Sequence, residues 1–163
     1  MALNGDIFKN LKEVLEAYGQ TLVEKYQMGL IDKNSIASGR LLDSAKYIVN
    51  YEDGVYELSI SLEEWWKYLE EGTLPHWPTV NAIRDWITVK QIVPYPDSKG
   101  KVPSVEQLAF LIGRKISQEG TDGRWILRDA LEEMNPDWEK LIEEAIELDV
   151  RDEIDEILKL LIL

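Results

Sequence analysis

The chain has 163 residues, of which 45% are hydrophobic and 30% charged, a composition typical of a folded domain rather than of a disordered chain. It contains no cysteine and one histidine, His76, which excludes disulfides, thiol catalysis, cysteine-ligated metal sites and multi-histidine metal sites. The formal net charge is −13, and residues 131–163 supply most of it, with 3 basic and 12 acidic side chains.

The beginning of the chain predicts a long amphipathic helix over residues 6–29. Asp6 stands at the N-cap position, and Gly29 is where the helix is expected to end. Residues 32–40 are polar and predict a loop. Apolar side chains recur along the helix at steps of three and four, at Ile7, Leu11, Val14, Leu15, Tyr18, Leu22 and Tyr26.

A β-hairpin is predicted over residues 46–61. Two runs rich in Val, Ile and Tyr lie on either side of Glu52-Asp53-Gly54, and Asp-Gly between such runs favours a tight turn. This is the clearest strand pattern in the chain.

The middle of the chain predicts two helices separated by loops. Residues 62–71 have helical spacing, but the segment 72–78 cannot continue that helix because it holds a glycine and two prolines. Thr79 is a suitable N-cap for a helix over residues 80–90. Three prolines and a glycine then predict a loop over residues 93–103.

The last part of the chain is predicted to be helical. Ser104 caps a helix that ends at a turn over residues 120–123. A further helix is predicted over residues 125–134, and Asn135-Pro136 is expected to break it, so that Asp137 caps a final acidic helix. The apolar positions of that final helix are Leu141, Ile142, Ala145, Ile146, Val150, Ile154, Ile157, Leu158 and Leu161.

Few residues suggest chemistry. The carboxylate pairs Glu63-Glu64 and Glu70-Glu71 accompany Trp65 and Trp66, a combination found in sugar-processing sites, although such pairs on a helix usually form a solvated face. No glycine pattern matches a phosphate-binding loop, and no cluster of Lys and Arg predicts a nucleic-acid interface. The sequence predicts neither a signal peptide nor a membrane span.

Several segments, taken in order, resemble bacteriophage tail-completion proteins, a family also described as head–tail joining or minor tail protein Z-like. Ser38–Ser44 resembles the family's Thr-Gly-x-Leu-x-x-Ser signature, with Ser38 in place of the threonine. Tyr68–Pro78 is similar to the later segment in which an aromatic residue and a Glu precede Gly-Thr and then Pro-His. Ile83–Trp86 and Gly120–Arg124 resemble the tryptophan-bearing helix and the Gly-Thr-x-Gly-Arg that follow.

The resemblance implies an α+β fold, in which a long N-terminal helix packs on a small antiparallel β-sheet with further short helices. It covers about residues 6–131, so we expect a tail-completion-like domain over residues 1–131 and an acidic helical C-terminal extension over residues 132–163. It also implies a structural virion protein without catalytic activity, cofactor or metal.

The implied function is assembly. Such proteins form a ring in the neck or upper tail of the virion, join the portal-side head to the tail, and leave a channel through which DNA passes as cargo. The expected partners are further copies in a sixfold or twelvefold ring, portal or adaptor proteins on one side, and tail tube or tail hub proteins on the other. Assembly would take place in the host cytoplasm, with no membrane involved.

Two sets of residues are candidates for these contacts. A closed ring needs two different surface patches on each subunit, and rigid proline loops suit such contacts. The candidate subunit-interface residues are Glu71, Gly72, Thr73, Pro75, His76, Trp77, Pro78, Lys99 and Lys101. The candidate channel-facing or partner-docking acidic residues are Glu143, Glu144, Glu147, Asp152 and Glu153.

Two other classes of function compete with the ring. The net charge of −13 also fits an acidic DNA mimic that regulates or inhibits a nucleic-acid enzyme, although the acidic residues concentrate after residue 131 instead of spreading over one surface. The cluster of tryptophan and glutamate over residues 63–71 leaves a carbohydrate-binding module as a third alternative.

Overall fold

The structure, a computed structural model, describes residues 8–96 and 98–161 and has the α+β architecture that the sequence predicts. The predicted N-cap Asp6 and its neighbour Ile7 lie outside the described residues. The helices are α1 (Lys9–Asp32), α2 (Arg40–Ser44), α3 (Trp66–Glu71), α4 (Val80–Val89), α5 (Val105–Glu119) and α6 (Ile126–Leu161). The strands are β1 (Lys46–Glu52), β2 (Val55–Ser61), β3 (Gly72–Thr73) and β4 (Thr121–Asp122).

The chain divides into two compact units, each assembled from separate segments. Unit 1 contains residues 8–29, 45–62 and 127–161 among those described, and unit 2 contains Leu30–Ser44 and Glu63–Ile126. None of the helices in the described parts of the chain is both long and apolar enough to cross a membrane.

The predicted hairpin is confirmed in unit 1. Strands β1 and β2 pair antiparallel, and Glu52 stands opposite Val55 at the turn. Asp53 and Gly54 both have positive φ, 51° and 86°, the combination that defines the type I′ turn favoured by Asp-Gly.

The core of unit 1 joins α1, the hairpin and α6. Its buried members are Leu22, Ala130 and Met134. Partly buried apolar side chains pack around them from all three elements, at Tyr18, Ile60, Leu127, Leu131 and Trp138. Burial raises the pKa of the Tyr18 phenol, whose hydroxyl donates a hydrogen bond to Asn135 Oδ1 at 3.1 Å.

A glycine allows α1 to approach the hairpin closely. A Cβ at Gly19 would lie 2.5 Å from the Tyr47 ring and 2.8 Å from Leu58. Glycine in mid-helix is unfavourable by about 1 kcal/mol relative to alanine, so its presence here is explained by the packing and not by helix propensity. The helix also continues through Gly29, where the sequence predicted its end, to Asp32.

The predicted break at Asn135-Pro136 is wrong, and so is the predicted N-cap at Asp137. Helix α6 runs unbroken through Pro136 for 36 residues. Proline inside a helix removes one hydrogen bond and costs about 3 kcal/mol. Here the helix buries side chains on both sides of the proline, Met134 before it and Ala145 after it, and this packing outweighs the local preference.

The start of α1 is completed by a residue from the other end of the chain. Both Asp149 carboxylate oxygens accept backbone hydrogen bonds at 2.9 Å, Oδ1 from Asn10 and Oδ2 from Leu11. Oδ1 also accepts from Asn10 Nδ2 at 2.7 Å, and the Asp149 residue is only 3% exposed. Helix α1 has no acidic residue in its own first turn, so Asp149 supplies the negative charge that the helix N-terminus favours.

Unit 2 has its own core between α4 and α5. Ile83, Ile87 and Ala109 are buried there. The predicted cap at Ser104 is confirmed, because its side chain and that of Gln107 form a reciprocal capping box. Thr79 does stand at the N-cap of α4, but its side chain accepts no capping hydrogen bond.

Hydrogen bonds at the start of α5 also lower the pKa of a carboxyl group, that of Glu106. A backbone hydrogen bond at Glu106, followed by one with the Ser104 hydroxyl, holds the pKa of the Glu106 carboxyl below its ordinary value. The sequence therefore marks the beginning of this helix correctly at Ser104.

We expect Asp149→Ala to lower the free energy of unfolding by about 2–3 kcal/mol, because two backbone N–H groups at the start of α1 lose their acceptor. Urea unfolding followed by circular dichroism measures this. Asp152→Ala is the matched control, since it removes an exposed carboxylate from the same helix and should change stability by less than about 0.5 kcal/mol. Equal effects of the two variants would contradict the capping role.

Candidate functional site

The predicted site residues fall into two separate groups within the described parts of the chain. Within residues 8–96 and 98–161, no group of three or more His, Cys, Asp or Glu side chains is arranged to hold a metal ion. The predicted interface residues all belong to unit 2, and the predicted acidic residues all lie on α6 in unit 1.

Two distant Gly-Thr sequences meet in unit 2. Gly72-Thr73 forms β3 and pairs antiparallel with β4, so that Thr73 stands opposite Thr121. The two threonine hydroxyls lie 3.0 Å apart and share a hydrogen bond. The sequence predicted only a turn over residues 120–123, and the strand pairing was missed because two-residue strands have no periodic pattern.

Glycine is required where the backbones of these two paired strands approach each other. Gly72 has φ 81° and ψ −166°, a region populated almost only by glycine, and a Cβ there would overlap the Thr121 carbonyl oxygen. A Cβ at Gly120 would likewise overlap the Thr73 carbonyl oxygen. The two backbones approach each other more closely than side chains would allow.

The segments that carry the family resemblance surround one small cavity of unit 2. The cavity has a volume of about 280 Å³. Its wall includes Ser38 and Gly39 of the first segment, Thr73 of the second, Trp86 of the third and Thr121 of the fourth. These segments are far apart in sequence, and their meeting gives them a common packing role.

An open groove of about 680 Å³, which we call the 67–76 groove, is lined in part by five of the predicted interface residues, Glu71, Gly72, Thr73, Pro75 and His76. It is lined by Lys67, Tyr68, Glu71, Gly72, Thr73, Leu74, Pro75 and His76. His76 Nδ1 donates a hydrogen bond to the Leu74 carbonyl oxygen at 2.9 Å, since a carbonyl can only accept. The histidine therefore holds the shape of its own loop, as expected for a lone histidine between prolines.

Trp77 and Pro78 face a different part of unit 2. The Trp77 ring is 52% exposed and packs edge-to-face on Phe110 of α5, with ring centroids 5.7 Å apart. Pro78 lies against Gly113, where a Cβ would be 3.8 Å from the proline ring. The Pro-His-Trp-Pro loop thus links the 67–76 groove to α5.

Phe110 is also part of the wall of a second groove, of about 760 Å³, which we call the 95–111 groove. Its lining is mostly apolar and consists of Tyr95, Lys101, Pro103, Glu106, Gln107, Leu108, Phe110 and Leu111. Tyr95 is 86% exposed, and Phe110 and Leu111 are both half exposed. Of the two predicted lysines, Lys101 lines this groove and Lys99 stands in the turn beside it.

Sequence reasoning missed Tyr95, Phe110 and Leu111. A usable signal was present, because Leu108 to Ile112 form five consecutive apolar residues in an amphipathic helix. Such a run covers more than one helix face, so some of its members cannot reach the core.

The predicted acidic residues lie on α6, and the structure does not bring them into one site. Glu143, Glu144, Glu147 and Asp152 are exposed, and Glu153 is half-buried. Glu144 pairs with Lys140 of the same helix at 3.4 Å, an exposed ion pair of low energetic value.

The carboxylates considered for a sugar site have different surroundings. Glu70 is buried, whereas its neighbour Glu71 lines the 67–76 groove. The two adjacent carboxylates therefore do not share one exposed surface.

Comparison of the chain with protein-family models, with curated proteins and with solved structures finds no match.

We expect Gly72→Ala to destabilise the protein more than Gly100→Ala. Both glycines have φ near 80°, which costs an alanine about 1–2 kcal/mol, but nothing lies within 4 Å of a Cβ at Gly100. At Gly72 the overlap with β4 adds a further cost of about 1–3 kcal/mol. Denaturant unfolding of both variants measures the difference. Similar losses of unfolding free energy would show that the pairing of β3 with β4 does not need glycine.

Proposed function

We propose that this chain is a structural subunit of a tailed bacteriophage, located in the neck or upper tail of the virion. Copies of it form a ring that joins the portal-side head to the tail and leaves a channel for DNA. The observation that carries the proposal is the exposed apolar surface of unit 2, formed by Trp77, Phe110, Leu111 and Tyr95.

Exposed aromatic and aliphatic side chains in one patch favour a protein contact. Isolated apolar residues are normal on protein surfaces, whereas contiguous apolar patches usually mark interaction sites. Trp77 and Phe110 already pack on each other, so they lose little side-chain entropy when a partner covers them. Such rigid aromatic pairs are typical anchors of protein interfaces.

The rigid loop supports the same proposal. Pro75 and Pro78 fix two backbone angles, and the hydrogen bond from His76 to Leu74 restrains the residues between them. A loop ordered before binding contributes more of its contact energy to affinity than a mobile one. Glu71, Gly72 and Thr73 extend this surface along the 67–76 groove.

The acidic residues of α6 fit a channel that DNA crosses. Four of the five predicted positions are exposed, and a surface of negative charge repels the phosphate backbone. In this proposal the exposed carboxylates keep DNA moving, while portal or adaptor proteins and tail proteins contact the two sides of the ring.

We expect the purified protein to form a discrete oligomer of six or twelve copies, alone or with the portal and adaptor proteins of the same virus. Light scattering over a wide concentration range measures its mass. Trp77→Ala should weaken assembly by about tenfold or more, because it removes a central aromatic anchor. His76→Ala should weaken it less, since this change loosens the loop without removing contact area.

Tyr51→Ala is the matched control, because it removes a similarly exposed aromatic side chain from unit 1. Its assembly should equal that of the unchanged protein. A protein that stays monomeric both alone and with the portal and adaptor proteins would contradict the ring. If the Trp77 variant assembles normally, the Pro-His-Trp-Pro loop is not an interface.

A further inference from the structure

The last three turns of α6 carry an apolar stripe that no described part of the chain covers. Val150, Ile154, Ile157 and Leu161 follow one another at steps of four, three and four, which places them on one side of a helix. All four are exposed, by 45% at Val150 and up to 76% at Leu161, and Leu158 flanks them. We call these five residues the α6 stripe.

The α6 stripe does not continue the face of α6 that packs inside unit 1. That face includes Ala145 and Asp149, both buried. Further steps of three and four along the helix place Asp152 and Glu156 on this same face, and both are exposed and charged. At about 100° per residue, the stripe lies roughly half a turn away from this face.

This arrangement separates the stripe from the core of its own unit. From Asp149 to Glu156 the face that would pack inward is acidic, and Leu160 is the apolar residue that follows on it, whereas the five residues of the stripe point the other way. Over residues 150–161 only Glu153 is even half-buried. Five large apolar side chains held on the outside of a helix about 17 Å long form a surface for another protein.

The 95–111 groove has the complementary properties. It is concave and mostly apolar, and it presents aromatic rings, Tyr95 and Phe110, at its surface. Amphipathic helices bind such grooves through apolar residues at steps of three, four and seven, which is the spacing of the α6 stripe.

Charge favours the groove over a second stripe as the partner. Residues 150–161 carry four acidic and two basic side chains, so two stripes packed together would bring like net charges side by side. The groove wall instead carries one positive and one negative side chain, Lys101 and Glu106, and Lys99 stands in the turn beside it, so the acidic segment that carries the stripe meets no net negative charge there. The stripe also spans less than two heptads, which is shorter than the three or four heptads that indicate a coiled coil.

We propose that the α6 stripe of one copy docks in the 95–111 groove of a second copy. The inference rests on the proposed self-association and identifies the two surfaces that meet. The stripe belongs to unit 1 and the groove to unit 2, so two different patches meet and the contact is heterologous. After one such contact the first copy still has a free groove and the second copy a free stripe. Contacts of this kind produce closed rings, or filaments where the rotation does not close.

Disulfide trapping tests the contact directly, because the natural chain has no cysteine and every disulfide must come from an introduced residue. Ile157→Cys places a thiol in the stripe, and Leu111→Cys places one in the groove; both positions are exposed, so neither change disturbs a core. The two purified variants are mixed in an oxidising glutathione buffer, and the rate of covalent dimer formation is measured by gel electrophoresis.

The matched control is Asp152→Cys mixed with Leu111→Cys, since Asp152 is exposed on the opposite side of the same helix. We expect the stripe–groove pair to form at least about tenfold faster than the control pair, because docking raises the local thiol concentration. We also expect it to form faster than either variant pairs with itself.

Two results would overturn the inference. Faster pairing of Ile157→Cys with itself would show that two stripes meet, and equal rates for the stripe and control pairs would show that the stripe does not enter the groove. These outcomes are separate from a failure of the ring proposal. If a closed oligomer forms but the stripe–groove pair is not trapped, the ring proposal stands and another surface forms the ring. If the pair is trapped but the protein is not recruited to portal proteins, only the stripe–groove contact stands.

Discussion

The hydrogen bonds from the first turn of α1 to Asp149 hold the start of this helix against α6. They join backbone donors at residues 10 and 11 to a carboxylate 139 residues after Asn10. Without them, the N-terminal end of α1 would leave donors unsatisfied beside a buried surface. The closure stabilises the same arrangement as the α1–hairpin–α6 core, in which Leu22 of α1 packs against Ala130 and Met134 of α6.

In unit 2 the corresponding constraint is steric. Glycines at positions 72 and 120 let two short strands approach until their carbonyl groups leave no room for a side chain. The pairing of these strands positions the Pro-His-Trp-Pro loop, which follows β3, and with it the Trp77–Phe110 pair. The proposed assembly surface is therefore built from the contacts that also hold unit 2 together.

Local signals in the sequence predicted most elements, and long-range contacts account for the errors. The Asp53-Gly54 turn and the Ser104 capping box depend on neighbouring residues, so the sequence indicates both correctly. The break expected at Pro136 was wrong, because the continuity of α6 depends on packing both before and after it. For the candidate site, the sequence indicated the proline loop but missed Phe110, since spacing alone does not show which apolar residues of α5 reach the core.

The segmented layout of the two units has a consequence for synthesis on the ribosome. Every residue of unit 2 is translated before residue 127, so no segment of that unit has to wait for the synthesis of residues 127–161. Unit 1 has to wait for α6, and until then α1 and the hairpin expose the apolar surface that this helix will cover. The nascent chain is therefore most open to aggregation and to chaperones in the interval before α6 emerges.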